Sequence, residues 1–149
     1  MKRARSLLTA CGLAVILVTQ TMAQDNAAIS RDDVDAWLRA YEQAWEGKDP
    51  DAAAKLFAAN ARYHETPYAE PFEGPAGVRD YWARVTADQR DIRFDYAIVA
   101  VTGNTGIATW SAKFNTISSG AAVELNGVFL LDFDADKRCT RLREWWHVR

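Results

Sequence analysis

From Val34 onward the apolar residues Val34, Trp37, Leu38, Tyr41, Ala44 and Trp45 recur at intervals of three and four, which puts them on one face of a helix running to Gly47. Ser30 and Asp33 mark its start as an imperfect capping box, with aspartate where glutamate is usual. Asp49-Pro50 predicts a second, short helix with proline at its first position and Ala53, Leu56 and Phe57 on its buried side. Residues 61–66 predict a short strand, and Gly74-Pro75 opens a third helix in which Val78, Tyr81, Trp82 and Val85 keep the helical spacing. After Asp91 the period changes to two. Turn signals at Gly103-Asn104-Thr105-Gly106, Ser118-Ser119-Gly120 and Asp134-Ala135-Asp136 then divide four strands in hairpin order, roughly 92–101, 106–116, 122–133 and 138–147. Helices first and a meander last predict an α+β domain, a curved antiparallel sheet packed against three N-terminal helices.

Strand parity assigns the faces. Val123, Leu125, Gly127, Phe129, Leu131 and Phe133 form an apolar face, while Ala108, Trp110, Ala112 and Phe114 line one side of the strand before it. The last strand separates Leu142, Glu144 and Trp146 from Arg141, Arg143, Trp145 and His147, so a carboxylate falls on the apolar side. A buried carboxylate is costly unless hydrogen-bonded, paired or protonated, and burial raises its pKa toward values useful in acid–base work. The structural alternative is that Glu144 pairs with an arginine such as Arg79 and locks the sheet. In the segment Arg62–Gly74, Ala61, Tyr63 and Glu65 share one face and Arg62 and His64 the other, so Glu65 looks inward and His64 belongs to the rim or surface.

Ahead of the domain, Lys2, Arg3 and Arg5 precede an apolar run from Leu7 to Val18 and a small-residue site at Thr21-Met22-Ala23. This layout predicts a secretory signal peptide over residues 1–23, a short tail over 24–29 and one domain over 30–149, with export to the periplasm or the extracellular space. Lipidation at Cys11 is the rival reading, but most of the apolar run then follows the cysteine instead of preceding it. Loss of the leader removes three cations and no acid from a chain whose net charge is −2, which argues against nucleic acid or an anionic membrane as partner. Cys139 is left as the single cysteine, so no internal disulfide forms. All six tryptophans, five tyrosines and six phenylalanines lie beyond Ala23, enough rings for a core or for the lining of an apolar pocket.

Two histidines without a spaced set of acids or cysteines predict no metal site, and the sequence carries no cofactor fingerprint: Gly103 and Gly106 are hairpin glycines. Cys139 on a core strand is expected to be packing and not a nucleophile.

Several strings resemble the SnoaL-like branch of the nuclear transport factor two-like superfamily, which includes ketosteroid isomerase. They are Lys55-Leu56-Phe57-Ala58, Glu70-Pro71-Phe72-Glu73-Gly74 before Val78-Arg79-Asp80-Tyr81-Trp82, and Leu142-Arg143-Glu144-Trp145-Trp146-His147. The resemblance covers about residues 30–149 and implies a cone-like half barrel around a pocket, commonly dimeric through the outer sheet face, whose members isomerise, cyclise, hydrate, dehydrate or only bind small molecules. Laid on this chain, the isomerase pattern puts its general-base carboxylate at Glu65 and its oxyanion-binding tyrosine at Tyr41. Its protonated aspartate falls at Phe129, so that donor is missing, and the Asp-Arg-Asp arrangement of the epoxide hydrolases is absent.

Two functions follow. In the first, Glu65, Tyr41 and Glu144 converge in a pocket walled by Trp37, Trp82, Trp110, Phe129 and Trp146 and move a proton on a small, largely apolar molecule. In the second, the same walls bind an apolar ligand without reaction, at about 25 cal/mol per Å² buried, and the glutamates are neutralised by arginines. Thr109, Lys113 and Glu124 on the opposite face, with Val128 and Leu130, fit a modest homodimer interface.

Overall fold

The computed structural model describes residues 28–149; the expected signal peptide, Cys11 and most of the tail lie outside the described residues. The chain folds as α1 (Arg31–Glu46), α2 (Pro50–Lys55), β1 (Phe57–His64), β2 (Phe72–Glu73), α3 (Gly74–Thr86), β3 (Gln89–Thr102), β4 (Thr105–Thr116), β5 (Ala122–Phe133) and β6 (Cys139–Val148). Among the described residues no helix is long and apolar enough to cross a membrane.

The start signals act as expected. The Ser30 side chain accepts from the Asp33 amide while Asp33 reaches back to the Ser30 amide, so the short aspartate closes the capping box. Asp49 caps α2 by accepting from the Ala52 amide. α2 stops at Lys55, however, and Phe57 begins β1 instead of completing a helical face. Leu56 gives its carbonyl to the Cys139 amide at 2.9 Å, and Phe57 takes Cys139 as strand partner. Pairing with a strand more than eighty residues downstream overrides the local helical pattern, a tertiary effect that propensity does not register.

The six strands form one curved, unclosed sheet in the order β2-β1-β6-β5-β4-β3. The meander β3 to β6 is antiparallel, and β1 joins it parallel to β6, so the sheet is mixed. This pairing sets Tyr63 beside Leu142 and His64 beside Arg143, one residue from Glu144. α1 lays its aromatic stripe on the concave face, where Val34 and Leu38 are fully buried. α3 starts at Gly74, whose φ of +62° favours glycine and where a Cβ would stand 3.0 Å from the Ala59 carbonyl oxygen.

At Gly127 a Cβ would stand 2.6 Å from the Trp145 carbonyl and 2.7 Å from Cε2 of Trp110. The missing side chain lets the Trp110 indole lie against the sheet, stacked on Phe129 at 5.1 Å. Gly127→Ala is therefore expected to cost about 1–3 kcal/mol through overpacking and to displace Trp110. Urea unfolding with tryptophan fluorescence checks both, and an unchanged midpoint and spectrum would contradict the account.

Candidate active site

A cavity of about 300 Å³ opens between the concave face, α1 and α3, at the small end of the range for ligand pockets. Tyr41 enters from α1, Tyr63 from β1 and Glu144 from β6, and their polar atoms form one chain. The Tyr63 hydroxyl donates to Oε1 of Glu144 at 2.9 Å and stands 3.2 Å from the Tyr41 hydroxyl. Because Tyr63 spends its single proton on Glu144, Tyr41 is the donor to Tyr63.

Glu144 is 5 % exposed. Its carboxyl is pushed up to about 8, first by burial and further by the charge of Glu65, against the opposing hydrogen bond from Tyr63. At neutral pH it is a neutral acid. With Oε1 accepting from Tyr63, Oε2 carries the proton, so the group offers an O–H to whatever occupies the cavity. Among the described residues neither Glu144 nor Glu65 takes part in an ion pair. Arg79, the arginine that could have neutralised Glu144, is exposed and paired with Asp80 at 3.1 Å.

Glu65 sits one residue past the end of β1 rather than within a strand reaching 66, and still lines the cavity. Its carbonyl accepts from Nε1 of Trp146 at 3.2 Å, which ties the chain end of β1 to β6 and holds the side chain at the wall. Tyr81 of α3 faces both acids: burial raises its hydroxyl pKa most, followed by the negative charges of Glu144 and Glu65. Burial, then the charge of Glu144, likewise raises Tyr41 and Tyr63, so both stay protonated donors.

Trp82, Trp110 and Trp146 line the cavity as expected. Trp37 and Phe129 do not reach it. Trp37 stacks on Tyr41 at 5.3 Å, packs edge-on to Phe57 and Phe133, and donates its indole N–H to the Leu56 carbonyl. Phe129 is fully buried between Tyr41, Phe94 and Trp110. Both close the base, because the N-terminal half of α1 lies directly on the sheet and leaves no space there.

The register carries a further consequence for Phe129, the position where the resemblance misses a protonated acid. Phe129 is the cross-strand partner of Glu144, so the neutral carboxyl stands on the neighbouring strand at the same level of the sheet.

Nine further residues line the cavity beyond those expected, and the polar or aromatic ones near the acids include Tyr63, Trp45, Tyr81 and Gln89. Tyr63 shares the parity of Glu65, which was the available signal; Gln89 had none, since only the fold brings it against Trp45, whose Nε1 donates to its Oε1 at 2.9 Å. Trp82 and Trp110 keep buried indole N–H groups without an acceptor among the described residues. An unmatched buried donor costs about 1–3 kcal/mol, and both belong to residues of the cavity wall.

The remaining candidates stay outside. His147 is exposed, and His64 lies on the convex side, its pKa lowered by burial and then by Arg62, Arg141 and Arg143. The Cys139 thiol is buried and pushed far up by burial, as befits inert packing. Among the described residues no three His, Cys, Asp or Glu side chains converge as a metal site.

Tyr63→Phe is expected to raise the Glu144 pKa above about 8, since the lost hydrogen bond favours the ionised form. It also strands the Tyr41 hydroxyl, at about 1–3 kcal/mol of stability. Carboxyl NMR titration and urea unfolding read the two effects; an unmoved titration would break the proposed chain.

A cone-like α+β domain with an acid-bearing cavity at its open end is the architecture of the ketosteroid isomerase-like fold. The SnoaL-like domain family matches residues 37–142, and the chain belongs to that family. It is similar to the steroid Δ-isomerase of Nocardioides simplex, 24% identical over 114 residues that span 76% of this chain and 89% of that protein. Among solved structures it resembles a putative isomerase from Bacillus subtilis, with a TM-score of 0.68 and 20% identity over 78% of this chain and 87% of that one. A protein of ketosteroid isomerase-like fold from Catenulispora acidiphila, solved with trimethylamine, superposes with a TM-score of 0.66 at 17% identity, covering 73% and 83% of the two chains. The structural likenesses concern the fold.

Proposed function

We propose that the protein catalyses proton transfer on a small, largely apolar molecule carrying a carbonyl or hydroxyl oxygen. The observation that carries this reading is the meeting of two carboxyl groups in one cavity, one of them held neutral and neither ion-paired. Glu65 acts as the base, taking a proton from a carbon next to the carbonyl and becoming neutral itself. The electron pair of that C–H bond moves onto the substrate oxygen, which accepts the O–H of Glu144. In a substrate with a double bond one carbon further along, the electron pair flows back from the oxygen through that bond, and return of the proton from Glu65 to its far carbon completes an isomerisation and regenerates both groups. Tyr41 does not meet the oxygen in this scheme; it donates to Tyr63, which donates to Glu144, and so makes Glu144 a stronger donor.

The kinship with a steroid Δ-isomerase supports the reaction class. The cavity volume favours a compact substrate. The unmatched N–H groups of Trp82 and Trp110 favour one that carries further acceptor oxygens. A second reading, a binding module, draws on the aromatic walls, which bury an apolar ligand without any reaction. The test incubates a panel of small cyclic ketones with the protein in deuterium oxide and follows deuterium entry beside the carbonyl by NMR. Catalysed exchange supports the enzyme. Quenching of tryptophan fluorescence without exchange supports the binding module and rejects proton transfer.

We further infer export, from the leader pattern over 1–23, and a homodimer through the convex face around Val128 and Leu130. Detection in the periplasmic or secreted fraction tests the first, and a solution mass of one chain would reject the second.

A further inference from the structure

On the convex face, behind the two acids, the parallel pairing of β1 with β6 assembles a block of four polar side chains. Arg62 is the register partner of Arg141, and His64 of Arg143. Neighbouring strands lie about 4.8 Å apart and alternate residues about 7 Å, so the four groups project from one small patch of sheet. With Thr66, Pro67, Trp145 and Glu144, the last of which also borders the cavity on the other face, they line a concavity of about 380 Å³.

The charges there do not balance. Asp132 is the acid hydrogen-bonded within the block, and its Oδ2 is shared by Nε of Arg141 at 2.8 Å and Nη2 of Arg143 at 3.2 Å. Its Oδ1 is taken by the Thr105 hydroxyl. The contact of Arg62 with Glu73 is 3.9 Å, too long for a hydrogen bond, and both groups are largely exposed. Nε of Arg143 is buried and has no acceptor among the described residues. Three guanidinium groups thus share about one firmly held carboxylate, in a chain whose net charge is −2, and a buried donor is left over. Like charges gathered in a concavity concentrate positive potential, and guanidinium forks match the oxygens of carboxylate, sulfate and phosphate groups.

We propose that this concavity is a binding site for an oxyanion, the sulfate, phosphate or carboxylate group of a small molecule, held by Arg62, Arg141 and Arg143 with His64 at its side. The site lies across the sheet from the catalytic cavity, borders it at Glu144 and does not rest on the proton-transfer reading. Burial depresses the His64 pKa most and the arginine field adds to it; the occupant neutralises that field. The groups facing that ring are Arg62 on its own strand, Arg141 and Arg143 on β6 and, in the opposite sense, Glu70 in the loop after β1. Anion binding therefore raises the His64 pKa, and by reciprocity the anion binds more tightly as pH falls through it.

The experiment uses the two-histidine chain, whose imidazole NMR signals are resolved by comparing wild type with His147→Gln. Sodium sulfate, which keeps its charge across the pH range, and sodium acetate are titrated separately at constant ionic strength set with chloride. The expected result is a saturable shift of His64 and a raised His64 pKa, with sulfate outbinding acetate if a tetrahedral anion is preferred and the reverse if a planar carboxylate is. Arg62→Gln and Arg141→Gln each weaken binding about tenfold, the loss of one charge-assisted contact, whereas Arg39→Gln, at an exposed position of α1, leaves it unchanged. Both arginines are half-exposed, so the variants are expected to fold, and unfolding midpoints near wild type confirm it. No saturable shift with either anion, or equal weakening by Arg39→Gln, overturns the proposal.

Discussion

Glu65→Gln is expected to lower the rate of ligand deuterium exchange by about 10²–10⁴-fold, the usual contribution of a positioned general base. The amide keeps the size and the hydrogen-bonding edge of the acid but cannot accept a proton from carbon. Tryptophan quenching should therefore show ligand binding close to that of the wild type, placing the loss in kcat and not in affinity. A second consequence sets this variant apart from a merely damaged protein. The charge of Glu65 helps hold Glu144 protonated, so its removal lowers the Glu144 pKa and moves any alkaline decline in binding or rate toward lower pH. Exchange at the wild-type rate in Glu65→Gln would sink the proposed chemistry.

Glu144→Gln is expected to change how stability depends on pH. In the native protein the group titrates at about 8, against an ordinary 4.5, so between these values the folded chain holds a proton that the unfolded chain has released. Stability therefore falls as pH rises through that window. The contribution is fully present below about 4.5 and is lost above about 8, on the order of 3–5 kcal/mol in all. Glutamine has no proton to lose, and its carbonyl can still accept from Tyr63. Urea unfolding at pH 5, 7 and 9 should show the wild type weakening steeply relative to Glu144→Gln. Parallel profiles would mean that Glu144 is not held neutral by burial.

Much of this site was legible in strand parity. A period of two put Glu144 on the apolar side of the last strand and Glu65 on the inner side of the first, and the structure places both at the cavity. Trp110 and Trp146 followed from the same counting, and Trp82 from the helical spacing of α3. Parity says which side of a sheet a residue occupies, though not how far along it the helices leave a gap. Trp37 and Phe129 have the right faces and still sit in solid packing, because α1 closes on the sheet at that end. Phe57 shows the same limit locally, since a helical spacing yielded to a strand pairing with Cys139.

Tyr63 is the most instructive omission. Its inward face was evident, yet its role depends on β1 lying parallel to β6, a contact between segments about eighty residues apart that no local pattern records. The same pairing builds the arginine block on the other side.

The alternation of apolar and polar residues by itself determined the elements, their inner and outer faces and the presence of an acid among rings, because periodicity is a local property written into consecutive residues. Only the tertiary structure decided that this acid answers to a tyrosine and not an arginine, that its proton stays on at neutral pH, and that space remains beside it. Those outcomes depend on distance, desolvation and packing between segments remote in the chain, quantities that come into being when the sheet is assembled.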